Sequence, residues 1–145
     1  MGTQQILLIV LSVIIVGIAV AVGITMFNSQ ATNSNRQAII GDLNNLASSA
    51  LAFYKTPTTH GGGGGYWTSG TLTDGDAVGQ WLGYGYVASN NTLTTGNGTF
   101  VLSVNGDNLQ IVGTGTETGN NGSTKVTATI TITGANSSIA ISDIN

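Results

Sequence analysis

No cysteine occurs among the 145 residues, and histidine and proline occur once each, as His60 and Pro57. The missing cysteine excludes disulfides, thiolate metal sites and a cysteine nucleophile. The single histidine leaves any Ser-His-Asp triad dependent on one imidazole. Charge is also scarce: 6% of the residues are charged, against roughly 25% in an average soluble domain. The cations are Arg36, Lys55 and Lys125; the anions are Asp42, Asp74, Asp76, Asp107, Glu117 and Asp143, for a net charge of −3. Three scattered cations form no basic patch, which argues against nucleic acid as a partner. Thr, Ser, Asn and Gly supply the polar content instead. A neutral polar surface of that kind lets many copies pack without like-charge repulsion.

The longest hydrophobic run stands near the N-terminus. Residues Ile6 to Phe27 read ILLIVLSVIIVGIAVAVGITMF, uncharged throughout and interrupted only by Ser12, Gly17, Gly23 and Thr25. As a helix it spans about 33 Å, enough to cross a bilayer. It is apolar on every face, so it must be buried in lipid or among other helices. The bland readings are a secretory signal peptide and a single-span anchor. No Lys or Arg precedes the run and no small-x-small cleavage site follows it, which fits neither pattern well. Removal of a short basic leader, with Met1 as the mature N-terminus, would account for the missing charge. Small residues four apart, Gly17 with Ala21 and Ala19 with Gly23, are suited to close helix approach, although small residues are frequent in membrane helices generally.

The helical pattern continues past the run. After the polar patch NSQATNSNR, apolar residues recur at Ile39, Ile40, Leu43, Leu46, Ala47, Ala50, Leu51 and Tyr54 in steps of three and four. That is the signature of an amphipathic helix. Pro57 closes it, because the residue before a proline avoids helical geometry. The spacing therefore predicts one helix from about residue 3 to about residue 55, with the polar patch as its weak point.

The C-terminal third has the period of strands. In KVTATITIT, Val126, Ala128, Ile130 and Ile132 face one way and the threonines the other. TFVLSV and LQIVGTGTE flank an Asn-Gly turn signal and read as a hairpin. SIAISDI follows the turn GANS. These give an α+β fold in which the long helix packs on an antiparallel sheet of about four strands with one apolar face. The expected organisation is an apolar half-helix over residues 1–27 and an amphipathic half-helix over 28–56. A Gly-, Thr- and aromatic-rich connection fills 57–98 and the sheet 99–145, with 28–145 together forming a globular head.

The uncharged run from Ile6 to Phe27, continued by the stripe to Tyr54 and followed by a loop and a sheet, resembles a type IV pilin. The segment Asn35 to Pro57 with the glycine run after it resembles small bacterial pilin-like proteins more than archaeal ones. The resemblance implies leader cleavage by a prepilin peptidase, frequent methylation of the new N-terminus, and storage in the inner membrane. An assembly ATPase and an inner-membrane platform protein would then build a helical homopolymer. The function implied is that of a structural subunit of an extracellular filament for adhesion and surface attachment, not an enzyme. Alternatives are a minor pilin or pseudopilin of a secretion or DNA-uptake system, and a membrane-tethered monomeric binding domain. One departure from the family pattern is Gln5, where most pilins carry a glutamate that pairs with a neighbour's terminal amine. A neutral amide is cheaper to bury unpaired and can still accept a hydrogen bond from an ammonium. Archaeal pilins commonly lack that glutamate, which pulls the other way on lineage.

No catalytic constellation or cofactor motif is visible. Asp74 and Asp76 in TDGDA are weak Ca²⁺ candidates, lacking the further acidic ligands of an EF-hand loop. Four sequons, at Asn90, Asn97, Asn121 and Asn136, mark candidate glycosylation sites in loops. The run Gly61, Gly62, Gly63, Gly64 and Gly65, followed by Tyr66 and Trp67, lacks the strand before and helix after it that a phosphate loop needs. It is expected to be a crowded contact loop against a neighbouring subunit, with Gly63→Val impairing assembly more than folding.

Overall fold

The computed structural model describes residues 2–68 and 75–145. Helix α1 runs unbroken from Gly2 to Lys55, about 80 Å at 1.5 Å per residue. The polar patch does not interrupt it. A 3-10 turn at Thr58–His60 follows, then a short helix α2, Asp76–Leu82. Five strands complete the chain: β1 Thr92–Thr94, β2 Gly98–Asn105, β3 Asn108–Thr118, β4 Lys125–Thr133 and β5 Ser138–Ser142. They form one antiparallel sheet in the order β1-β2-β3-β4-β5. Every connection joins neighbours, so the sheet is a meander, and α1 lies across β3 and β4.

The apolar faces meet as the two periodicities require. On the helix, Ile39, Leu43, Leu46, Ala47, Ala50, Phe53 and Tyr54 are buried. On the sheet, the pairs Leu102–Ile111, Ile111–Ile130 and Leu109–Ile132 place large side chains side by side on one face. Phe100 and Leu93 extend the layer toward β1. Each fully buried aliphatic or aromatic side chain stabilises the fold by about 1.5–3 kcal/mol. All buried hydrophobic side chains among the described residues lie at Ile39 or beyond.

The structure adds to the sequence reading in two places. There are five strands, not about four: β1 has three residues, too few for alternation to register. The connection 57–98 is also less irregular than expected, since it contains the 3-10 turn, α2 and β1. Within WLGYGYV, residues 81–87, Trp81 and Leu82 end α2, and Gly83, with φ 78° and ψ −112°, stops it.

Candidate assembly surface

Among the described residues, nothing packs over the first half of α1, to Phe27. Sixteen large apolar side chains between Ile6 and Phe27 are each half or more exposed, from 50% at Val10 to 73% at Phe27. Polar groups in the run are satisfied locally. The Ser12 hydroxyl donates to the Leu8 carbonyl at 2.8 Å, and the Thr25 hydroxyl to the Ala21 carbonyl at 3.0 Å. No side-chain donor there needs water, which lets the segment enter hydrocarbon or a helix bundle without an unpaired polar group. The helix is therefore compatible with membrane insertion. A Cβ added at Gly17 or Gly23 would meet nothing within 4 Å. Among the described residues, nothing calls for glycine at either place. Gln5, Ala19 and Ala21 are exposed on the same segment. Met1 lies outside the described residues.

The second half of α1 is tied to the sheet by polar side chains on its flanks. Asn35 accepts hydrogen bonds from the backbone N–H groups of Thr116 and Glu117 at 3.1 and 3.3 Å, and its amide donates to the Asn97 carbonyl at 3.1 Å. The strand register shifts there, between Thr114 and Thr118, and the side chain supplies acceptors that the sheet ladder leaves out. Further along, the Asp42 carboxylate accepts from the Thr95 hydroxyl at 2.8 Å and the Asn97 amide at 3.0 Å. Arg36 reaches the opposite flank and donates to the Asn145 carbonyl at 3.4 Å. Sequence reasoning gave none of these three residues a role. Their partners lie 50 to 110 positions away in the chain, and no local pattern announces them.

The glycine run caps the helix. The last carbonyls of a helix lack partners within it. Here the Gly63 N–H donates to the Phe53 carbonyl at 2.8 Å, that of Gly65 to Tyr54 at 2.8 Å, and that of Gly64 to Thr56 at 2.9 Å. The chain must double back tightly over the helix end to do this. An added Cβ at Gly62 would overlap the Thr56 carbonyl; at Gly63 it would overlap the Tyr66 carbonyl and come within 2.8 Å of the Phe53 ring. The crowding expected from a neighbouring subunit is thus supplied at these two positions by the chain itself. Gly61, Gly64, Gly65 and Tyr66 are exposed, whereas Gly62, Gly63 and Trp67 are buried. Trp67 leads the run back into the core and donates its indole N–H to the Asp107 carbonyl at 2.8 Å.

Asp107 joins three parts of this end of the head. Its carboxylate accepts from the Tyr54 hydroxyl at 2.8 Å and from the Ala135 N–H at 3.0 Å. The hydrogen bond to Asp107, then burial, raises the Tyr54 phenol above the ordinary tyrosine range. Tyr86 behaves alike at the other flank. Burial first, and then its 2.6 Å bond to Asp76, push its phenol well up. Asp76 is therefore occupied by a tyrosine, and Asp74 lies outside the described residues. Among the described residues no group of three His, Cys, Asp or Glu side chains could hold a metal ion. His60 sits exposed on the 3-10 turn beside the Thr59 hydroxyl, at 3.1 Å.

The four sequons differ in their surroundings. Asn97 spends its amide on Asp42 and is half-buried. Asn121 and Asn136 fold onto their own turns through the N–H groups of Ser123 and Ser138, each at 3.0 Å. Asn90 is exposed. Of the aromatics in the middle connection, Trp67 is buried, Trp81 stacks edge-on against Phe53 at 5.8 Å, and Tyr84 and Tyr66 are exposed.

No family model, curated protein or solved structure matches the chain.

Proposed function

We propose that the chain is the major subunit of a type IV pilus-like extracellular filament, held in the cytoplasmic membrane by the first half of α1 before assembly. One observation carries the proposal: a single unbroken helix is docked on a sheet along its second half and wholly exposed and apolar along its first. Water is the wrong solvent for sixteen exposed large apolar side chains. Lipid satisfies them before assembly, and the same segments of other copies satisfy them after it. Transfer from one environment to the other costs little, since both are apolar. The sparsely charged head allows copies to crowd together. By resemblance, a prepilin peptidase processes the subunit, and an assembly ATPase with its platform protein drives extraction. Adhesion and surface attachment follow from the polymer.

The test is electron microscopy of filaments sheared from cells, with mass spectrometry of the purified filament. The expected result is a helical polymer whose principal polypeptide is this chain. Recovery of the chain only as a membrane-bound monomer would overturn the proposal.

A further inference from the structure

The end of the head far from the apolar half-helix holds a cavity of about 540 Å³, lined by Tyr54, Gly64, Gly65, Tyr66, Trp67, Gly106 and Asp107. That volume falls within the roughly 300–1,000 Å³ typical of small-ligand sites. Three of the lining residues are glycines. Gly64, Gly65 and Gly106 have φ values of 60°, 93° and 60°, a region that disfavours side chains. A Cβ at Gly65 or Gly106 would meet nothing within 4 Å, so the space beside them is open.

Two groups in the cavity are available to a ligand. Tyr66 is 71% exposed, leaving its ring free to cover an apolar surface. Asp107 is held in place by Tyr54 and the Ala135 N–H, one on each oxygen. Each carboxylate oxygen keeps a further lone pair. The acceptor is thus oriented before any ligand arrives, which lowers the cost of binding. Among the described residues the one charge in the lining is the Asp107 carboxylate, which disfavours anionic ligands, while Lys55 Nζ stands 5.6 Å from the centroid of the Tyr54 ring. An ammonium ligand wants a cage of several open rings. Among the described lining residues Tyr54 and Trp67 are buried and Tyr66 alone is open.

We infer that this cavity binds a neutral saccharide, with C–H groups on the Tyr66 ring and vicinal hydroxyls donating to Asp107. The negative face of the ring attracts the slightly positive C–H groups. Two adjacent hydroxyls match the two carboxylate oxygens. Trp67, whose indole N–H holds the Asp107 carbonyl, reports occupancy through its fluorescence.

The experiment uses the full chain in detergent micelles, in a Trp81→Phe background so that Trp67 is the sole indole. Maltotriose, chitotriose and lactose are titrated separately, with tetramethylammonium and inorganic phosphate as controls. At least one saccharide is expected to give a saturable emission change. Tyr66→Ala should weaken that binding by about tenfold or more, the range of an aromatic hot spot, while Tyr66→Phe retains it. Tyr66 is exposed, so neither change threatens folding. No saturable response to any of the three sugars, a response to a control alone, or wild-type binding by Tyr66→Ala would overturn the inference. Because the unassembled chain is measured, such a failure leaves the filament proposal untouched.

Discussion

Neighbouring glycines in one run occupy unlike environments. Gly63 is pressed between the Tyr66 carbonyl and the Phe53 ring, while Gly61 faces open space with φ 82°. Gly63→Val should destabilise the head by about 3 kcal/mol or more, at or above the top of the usual overpacking range. Gly61→Ala should cost about 1–2 kcal/mol, from the left-handed backbone alone. Thermal melts in micelles followed by circular dichroism would separate them; equal melting of Gly63→Val and wild type would refute the intrachain cap. Tyrosines set a second expectation at this scale. Tyr54 and Tyr86 are both held neutral in the folded state, with pKa values raised above that of the unfolded chain. Below about pH 10 both states keep these protons and the stabilisation is complete. Above that pH the unfolded state loses protons first, so stability falls as pH rises toward the folded values. A denaturant series from pH 8 to 12 should show this decline, and the double variant Tyr54→Phe, Tyr86→Phe should flatten it.

For α1 and β3 as elements, joining depends on polar insertion as well as on the apolar stripe. Asn35 fills the irregular stretch between Thr114 and Thr118, where the ladder to β4 shifts. Asn35→Ala should cost about 1–2 kcal/mol, the loss of its hydrogen bonds offset in part by water. Amide exchange at Thr116 and Glu117 should accelerate relative to Ile111, in mid-strand. Unchanged exchange at those two amides would show that the side chain does not anchor the strand. The helix itself was legible in the sequence because its signal is long: an uncharged run, a stripe in steps of three and four, and a single proline at its end. Strands β2 to β5 were legible for the same reason, each with alternation or a turn at its border. Strand β1 was not, since three residues carry no period, and α2 owes its seven residues to the core contacts of Ala77 and Val78 rather than to a strong local pattern.

The whole molecule divides its stability from its solubility. Every buried hydrophobic among the described residues lies at Ile39 or beyond, so the first half of α1 contributes nothing to the core of the isolated chain. A fragment of residues 28–145 should fold and stay soluble without detergent, with a melting temperature within about 5 °C of the full chain, a shift of order 1 kcal/mol. The full chain should partition into detergent. An unfolded or insoluble fragment would show that the apolar half supports the head after all.

Composition and period alone determined the α+β arrangement, because burial demands of that strength leave few solutions. An all-round apolar helix must leave water. A striped helix must find a flat apolar face, and the alternating strands offer one. What only the tertiary structure decided were the close encounters. These are Asn35 at the strand irregularity, Asp42 between Thr95 and Asn97, Asp107 joining Tyr54 to the Ala135 N–H, and the glycine run folded back on its own helix. Each depends on backbone meeting backbone across many positions of chain, within a few tenths of an ångström. A one-dimensional pattern carries hydrophobicity and turn preference, but not the path by which HGGGGG returns to cap Phe53 and Tyr54.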